Sequence, residues 1–252
     1  MPGGEAELLT DLGAEQEALQ ALLDGIDRDD WFRTTPAKGW DVRDTIAHLA
    51  DTDEIAVDTC LGGPRPLNDL AARLGSAEDV TLAGVLRGRR LPGADVLSWW
   101  RRASARERDV LAGLDPDTRV QWGIGMKPIS FLTARLMETW AHGLDVHAAL
   151  GVAPVDTARL RHVAFLGYRA LPYAFSRAER EAPALDRLRI ELTGPDGDTW
   201  IFGSDDGPER ITGPAGEFCR VFVQRLPLAE ATGLQARGDA AVAALQVARA
   251  FL

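Results

Sequence analysis

Cysteine is almost missing from this chain of 252 residues; it occurs twice, at Cys60 and Cys219. Two thiols so far apart in sequence argue against a disulfide framework and for a reducing cytoplasm as the compartment. Lysine is as scarce, at Lys38 and Lys127 alone, while arginine is abundant, a bias of the kind a GC-rich genome imposes. Long basic runs and basic stripes interleaved with aromatics are lacking, and the formal net charge is −10. Such a surface repels phosphate backbones and anionic lipid, so neither nucleic acid nor membrane is an expected partner. No apolar run approaches the ~20 residues needed to cross a bilayer. The opening MPGGEAELLTDLGAEQEALQ has neither the positive start nor the apolar centre of a secretory signal. A nucleophile elbow of the G-x-S-x-G kind is also absent, which removes the usual Ser–His–Asp reading.

What is present is an ordinary globular composition, 46% hydrophobic and 26% charged, sufficient for a sizeable core. The first two-thirds reads as helical. Leu8, Leu9, Leu12, Leu19, Leu22 and Leu23 recur at helical spacing over about 5–26. Asp41 is placed to cap a second helix to about Cys60, and LGGPRPLND breaks it. A shorter helix is expected within 68–90 and a longer one over about 94–114. The connection DPDTRVQWGIGMKP then leads to a helix over 128–150, with a proline at its start and Gly151 after its end. Asp156 is expected to cap a further helix over about 157–180. After Pro183 the texture changes. LDRLRIELTG and DTWIFGS read as strands joined at PDGD, a hairpin signal. ERITG reads as a third strand, 214–226 as a helix, LQARGD as a last strand and 239–251 as a closing helix. The expected division is therefore a helical domain over 1–182 and a small α+β domain over 183–252.

Within the 128–150 helix, Glu138 and His142 are an i, i+4 pair projecting from one face, one turn apart. At 100° per residue Asp145 joins their sector, Ala134, Ala141 and Ala149 flank it, and His147 points nearly the opposite way. A carboxylate and an imidazole so placed can grip a divalent metal if another helix supplies a further nitrogen. His48, in WDVRDTIAHLA, is the candidate. Taken alone the pattern is weak. Polar strips usually face water, and His48 lies beside the stripe of Val42, Ile46, Leu49 and Val57 rather than within it, so periodicity reads it as solvated. Asp44 and Asp51 share its side of the helix and are candidates to hydrogen-bond its ring.

GWDVRDTIAHLADTD followed by TARLMETWAHGLDV resembles the DinB-like, mycothiol-dependent maleylpyruvate isomerase superfamily. The resemblance implies a mainly α protein, with a DinB-like four-helix bundle whose second and fourth helices hold a metal. The family pattern, a histidine in a tryptophan-led "W…HL" helix and then Glu-x-x-x-His, falls here on His48, Glu138 and His142. Two imidazoles and a carboxylate suit Zn2+ first, with Ni2+ and Fe2+ as alternatives. The C-terminal GDTWIFGS…ITGPAGEFCRVFVQRL is similar to the sterol-carrier-like α+β domain that often follows such a bundle. That likeness implies an arginine holding a substrate carboxylate, with Arg225 the best-matched candidate and Arg220 its rival.

The resemblance also implies mycothiol as a thiol co-substrate. A divalent cation lowers a thiol's pKa, and the thiolate is the nucleophile. The expected activity is attack on an electrophilic small molecule, giving S-transfer or cis–trans isomerisation. Trp122 and Met126, in the loop before the fourth helix, are candidates to contact the bound thiol or substrate. Trp40 reads as packing for the start of the second helix, and Cys60 as a small hydrophobe. Two other readings remain at this point: a thiol-independent hydrolase or lyase using metal-bound hydroxide, and a small-molecule or lipid-binding module with a structural metal.

Overall fold

The structure is a computed structural model and describes residues 4–250. These divide into two compact units, 4–154 and 155–250. The first contains four long helices, α1 (Glu5–Asp24), α2 (Val42–Leu61), α5 (Gly93–Ala112) and α6 (Pro128–Leu150), with shorter α3 (Leu67–Leu74) and α4 (Ala77–Gly88) between α2 and α5. The single expected helix over 68–90 is thus two, split at Gly75, whose φ of 121° favours glycine.

The two helices that matter most are firmly bounded. Asp41 accepts from Asp44 N at 2.7 Å, and the Asp44 carboxylate accepts in return from Asp41 N at 3.4 Å. This reciprocal box satisfies two amide donors that a helix start leaves free. Gly62 ends α2 in the left-handed region at φ 67°, and Gly151 ends α6 in the same way at φ 69°. Pro128 opens α6 at a position where its missing N–H removes no bond.

Four buried stripes meet in the bundle. Ile46, Leu49 and Ala50 of α2 pack with Val96, Leu97, Trp100 and Ala103 of α5, Leu19 and Leu23 of α1 and Val146 of α6. Each fully buried Leu or Ile contributes roughly 1.5–3 kcal/mol relative to exposure. The stripes are interrupted by charge at Asp53, Glu107 and Arg135, all 2% exposed or less.

The second unit holds α7 (Leu160–Arg177), a four-stranded sheet, α8 (Ala215–Phe222) and α9 (Asp239–Val247). The strands β1 (Leu188–Thr193), β2 (Thr199–Gly203), β3 (Glu209–Pro214) and β4 (Gln235–Arg237) lie in the order β2-β1-β3-β4. β1 pairs antiparallel with β2, Leu192 opposite Trp200, and parallel with β3, Ile190 opposite Ile211. Leu188, Ile190 and Leu192 alternate inward, as a strand with one covered face requires.

The mainly α architecture with a small α+β unit is as expected, but the boundary is not at 182/183. It lies after Pro154, and α7 belongs with the sheet. The reason is packing: Phe165 of α7 meets Phe202 of β2 at 6.1 Å between ring centroids. Gly167 lets α7 approach so closely that a Cβ there would stand 3.0 Å from the Phe222 ring. Nor does Asp156 cap α7, which begins after Arg159; its carboxylate instead takes Arg220 in two bonds of 2.7 and 2.8 Å. The end of the expected closing helix, at Phe251, lies outside the described residues.

Candidate metal centre

α2 and α6 bring His48, Glu138 and His142 together, with one donor atom from each within 4.8 Å of the others. His48 Nε2 stands 3.7 Å, and His142 Nε2 3.6 Å, from the same oxygen, Glu138 Oε2. The two imidazole rings meet edge-on at 4.7 Å between centroids. A tetrahedral ion with bonds of about 2.0–2.1 Å holds its donors roughly 3.4 Å apart, so small side-chain adjustments suffice for these three to share one. The side chains are 11%, 25% and 13% exposed for His48, Glu138 and His142 respectively, so the carboxylate marks the more open side.

The far nitrogen of each ring is also engaged. Asp145, fully buried, stands 3.1 Å from His142 Nδ1, as its place in the helical sector suggested. At His48 the partner is Thr52. Its hydroxyl donates to the His48 carbonyl at 2.6 Å, leaving a lone pair toward Nδ1 at 3.4 Å. The expected candidates there are elsewhere: Asp44 bonds Arg89 at 2.7 Å and Asp51 bonds Arg65 at 2.7 Å. With Nδ1 occupied, each ring turns Nε2 toward the carboxylate, the arrangement that fixes the tautomer of a ligating histidine.

Burial sets the protonation states. It pushes His48 below the ordinary imidazole range, against the pull of Glu138, and leaves a neutral ring with a free lone pair. Burial acts the same way on His142, but the hydrogen bonds to Asp145 and Glu138 outweigh it and raise that pKa. Burial alone would raise Glu138; bonding to His142 and His48 overcomes this and holds the carboxyl well below its usual range. The periodicity reading of His48 as solvated is therefore corrected: α2 is covered on that side as well, by Trp40 and by α6.

Trp40 is the residue that sequence reasoning undervalued. Its ring lies 5.2 Å from His48 and 6.0 Å from His142, nearly parallel to the latter at 24°. It thus roofs both imidazoles rather than merely filling the start of α2. The sequence signal is its place immediately ahead of the capping Asp41.

The remaining candidates are more scattered. Trp122 packs on Phe131 at 5.1 Å and faces the Arg135 guanidinium at 5.9 Å. Met126 closes a small loop, its backbone bridged to Val120. Arg225 lies in the second unit, where Nη1 donates to the Val223 carbonyl at 2.9 Å. Cys60 and Cys219 are free thiols. Burial pushes Cys60 up to about 11, which removes it as a nucleophile near neutral pH. His147 turns away to the Val152 carbonyl at 3.2 Å.

The comparisons place the chain in a family. Residues 12–147 match the family described as the mycothiol maleylpyruvate isomerase N-terminal domain. Two uncharacterized proteins of Mycobacterium tuberculosis, from strains CDC 1551 / Oshkosh and ATCC 25618 / H37Rv, are each 39% identical over 250 residues. Each match covers 96% of this chain and 94% of the relative. Among solved structures, mycothiol-dependent maleylpyruvate isomerase superposes with a TM-score of 0.61 at 16% identity, over 93% of both chains. A histidine-to-alanine mutant of it gives 0.61 at 14% over the same shares. At those identities the likeness is one of fold. The class is a helical bundle followed by a small α+β unit. The chain belongs to the mycothiol maleylpyruvate isomerase N-terminal domain family.

Proposed function

We propose that the protein is an enzyme in which His48, Glu138 and His142 hold a divalent cation, Zn2+ in the first instance. Its co-substrate is a low-molecular-weight thiol, mycothiol, and its reaction is thiol attack on an electrophilic small molecule, giving S-transfer or cis–trans isomerisation. The observation that carries this reading is the convergence of two Nε2 atoms on one carboxylate oxygen, at 3.7 and 3.6 Å. Family membership supports the thiol, as does the likeness in fold to mycothiol-dependent maleylpyruvate isomerase.

When bound, the cation supplies Lewis acidity that stabilises a thiolate near neutral pH. The chain's own groups do the rest. Thr52 and Asp145 hold the two rings in register. Glu138, ionised through its bonding to the rings, offsets the charge of the cation. Trp40 shields the imidazoles from water on one side. We assign Arg225 to the substrate's carboxylate, and Trp122 and Met126 to the thiol's surroundings. Two free cysteines fit a cytoplasmic setting.

Metal analysis of the purified protein and of His48→Ala and His142→Ala tests the donor set. The expected result is one equivalent in the native protein and none in either variant; stoichiometric metal in both variants would overturn the assignment. Turnover of maleylpyruvate or another electrophile is expected only with mycothiol present. Equal turnover without thiol would replace this reading with a hydrolase or lyase.

A further inference from the structure

A second cluster of charge lies in the bundle core, in a place where the reaction has no obvious use for it. Arg135 of α6 donates through Nε to Glu107 Oε1 of α5 at 2.8 Å and through Nη2 to Asp53 Oδ1 of α2 at 2.6 Å. Asp53 also accepts from Trp100 Nε1 at 3.0 Å, and Glu107 from Gln16 Nε2 of α1 at 3.3 Å. The three ionisable side chains are 3% exposed or less.

Stability does not explain them. A buried ion triad loses in desolvation much of what it gains in attraction, and well-packed apolar residues of similar volume are often as stable or more so. What the triad does supply is direction. Apolar contacts allow neighbouring helices to slide by fractions of an ångström, whereas short charge-assisted bonds do not. Arg135 stands three residues before Glu138, on the same face of α6, and Asp53 lies five residues after His48 on α2. The Asp53–Arg135 bond therefore ties together the two helices that carry the metal donors, beside those donors. A functional constellation has to be held within about 0.5 Å of its working geometry.

We propose that Asp53, Arg135 and Glu107 are positioning residues for the metal centre, fixing the register of α2 on α6 and hence the spacing of His48 from Glu138 and His142. Burial and the Asp53 charge push Glu107 up to about 8, so at neutral pH one guanidinium faces one carboxylate and one neutral acid. The tie is thus electrically balanced and adds no net charge beside the cation. This inference rests on the metal reading above.

The test compares metal affinity by chelator competition, the visible spectrum of the Co2+-loaded protein and the thermal midpoint in three proteins. These are the native chain, Asp53→Asn, and an apolar replacement of the whole triad (Asp53→Leu, Glu107→Met, Arg135→Met). The apolar variant is expected to keep or raise the thermal midpoint while binding metal at least tenfold more weakly, with a changed Co2+ spectrum. A merely structural triad would move the midpoint and leave affinity and spectrum alone; a folded apolar variant that behaves so overturns the proposal. If that variant does not fold, Asp53→Asn decides. A tenfold loss of affinity supports positioning, and native affinity with a native spectrum refutes it. A native protein that takes up no metal overturns both this inference and the metal reading, whereas full uptake unaltered by the substitutions overturns this inference alone.

Discussion

Replacing Glu107 with glutamine separates a buried neutral acid from a buried charge. Glu107 is 1% exposed. Burial first, and the charge of Asp53 second, push its carboxyl from 4.5 up to about 8. In the protonated form it donates to the Asp53 carboxylate while accepting from Arg135, and a glutamine amide can reproduce both bonds. The sign follows from proton counts. Between pH 4.5 and about 8 the folded chain keeps this proton and the unfolded chain loses it, so rising pH favours the unfolded state. The contribution is complete below pH 4.5, shrinks by about 1.4 kcal/mol per pH unit and is gone above about 8.

Across two units, from pH 5.5 to 7.5, the native protein should thus lose on the order of 3 kcal/mol relative to Glu107→Gln. Urea unfolding of both proteins in chelator-treated buffer measures that difference, and groups that do not interact with Glu107 cancel in the comparison. At pH 5.5 the variant is expected to be the weaker by about 1 kcal/mol, because its amide faces the amide nitrogen of Gln16. A constant difference between the two proteins across this range would refute the argument and show that Glu107 is ionised in the folded state.

Three further outcomes are expected. Asp145→Ala removes the acceptor at His142 Nδ1 and should weaken metal binding by about 10–100-fold with the bundle still folded; unchanged affinity in a chelator titration would contradict its orienting role. Trp40→Ala lets water reach a ring whose pKa is lowered chiefly by burial, so the His48 titration followed by NMR in the metal-free protein should move upward. Gly88→Ala places a methyl against that of Ala47, the residue before His48. Such overpacking costs about 1–3 kcal/mol, visible as a lowered thermal midpoint of the bundle.

The convergence of His48, Glu138 and His142 could be read from the sequence because helical spacing puts Glu138 and His142 on one face, and the tryptophan-led helix supplies His48. What spacing could not show was which face of α2 would be covered. Treating the helix as having one apolar side left His48 in water, whereas the structure covers that side too, with Trp40 on it. The charge triad left a readable trace. Asp53 continues the stripe of Ile46, Leu49 and Ala50, Glu107 that of Val96, Trp100 and Ala103, and Arg135 that of Phe131 and Leu132. Ionisable groups on core stripes must find partners, and the signs match. Their pairing across separations of 28 and 82 residues is set by tertiary packing, which no local pattern encodes. The boundary at 182/183 failed for a related reason. α7 looks like one more helix of the bundle until its aromatic face is seen against β2 and α8.

That last feature bears on how the protein can be taken apart. A shortened chain meant to carry His48, Glu138 and His142 alone should stop at Pro154. If instead it runs on to residue 182, it keeps an orphan helix with Phe165 stripped of Phe202 and Gly167 of Phe222, and such a piece invites aggregation. Conversely, a fragment begun at residue 183 would leave the sheet without one of its covers, and its failure to fold would say nothing about the bundle.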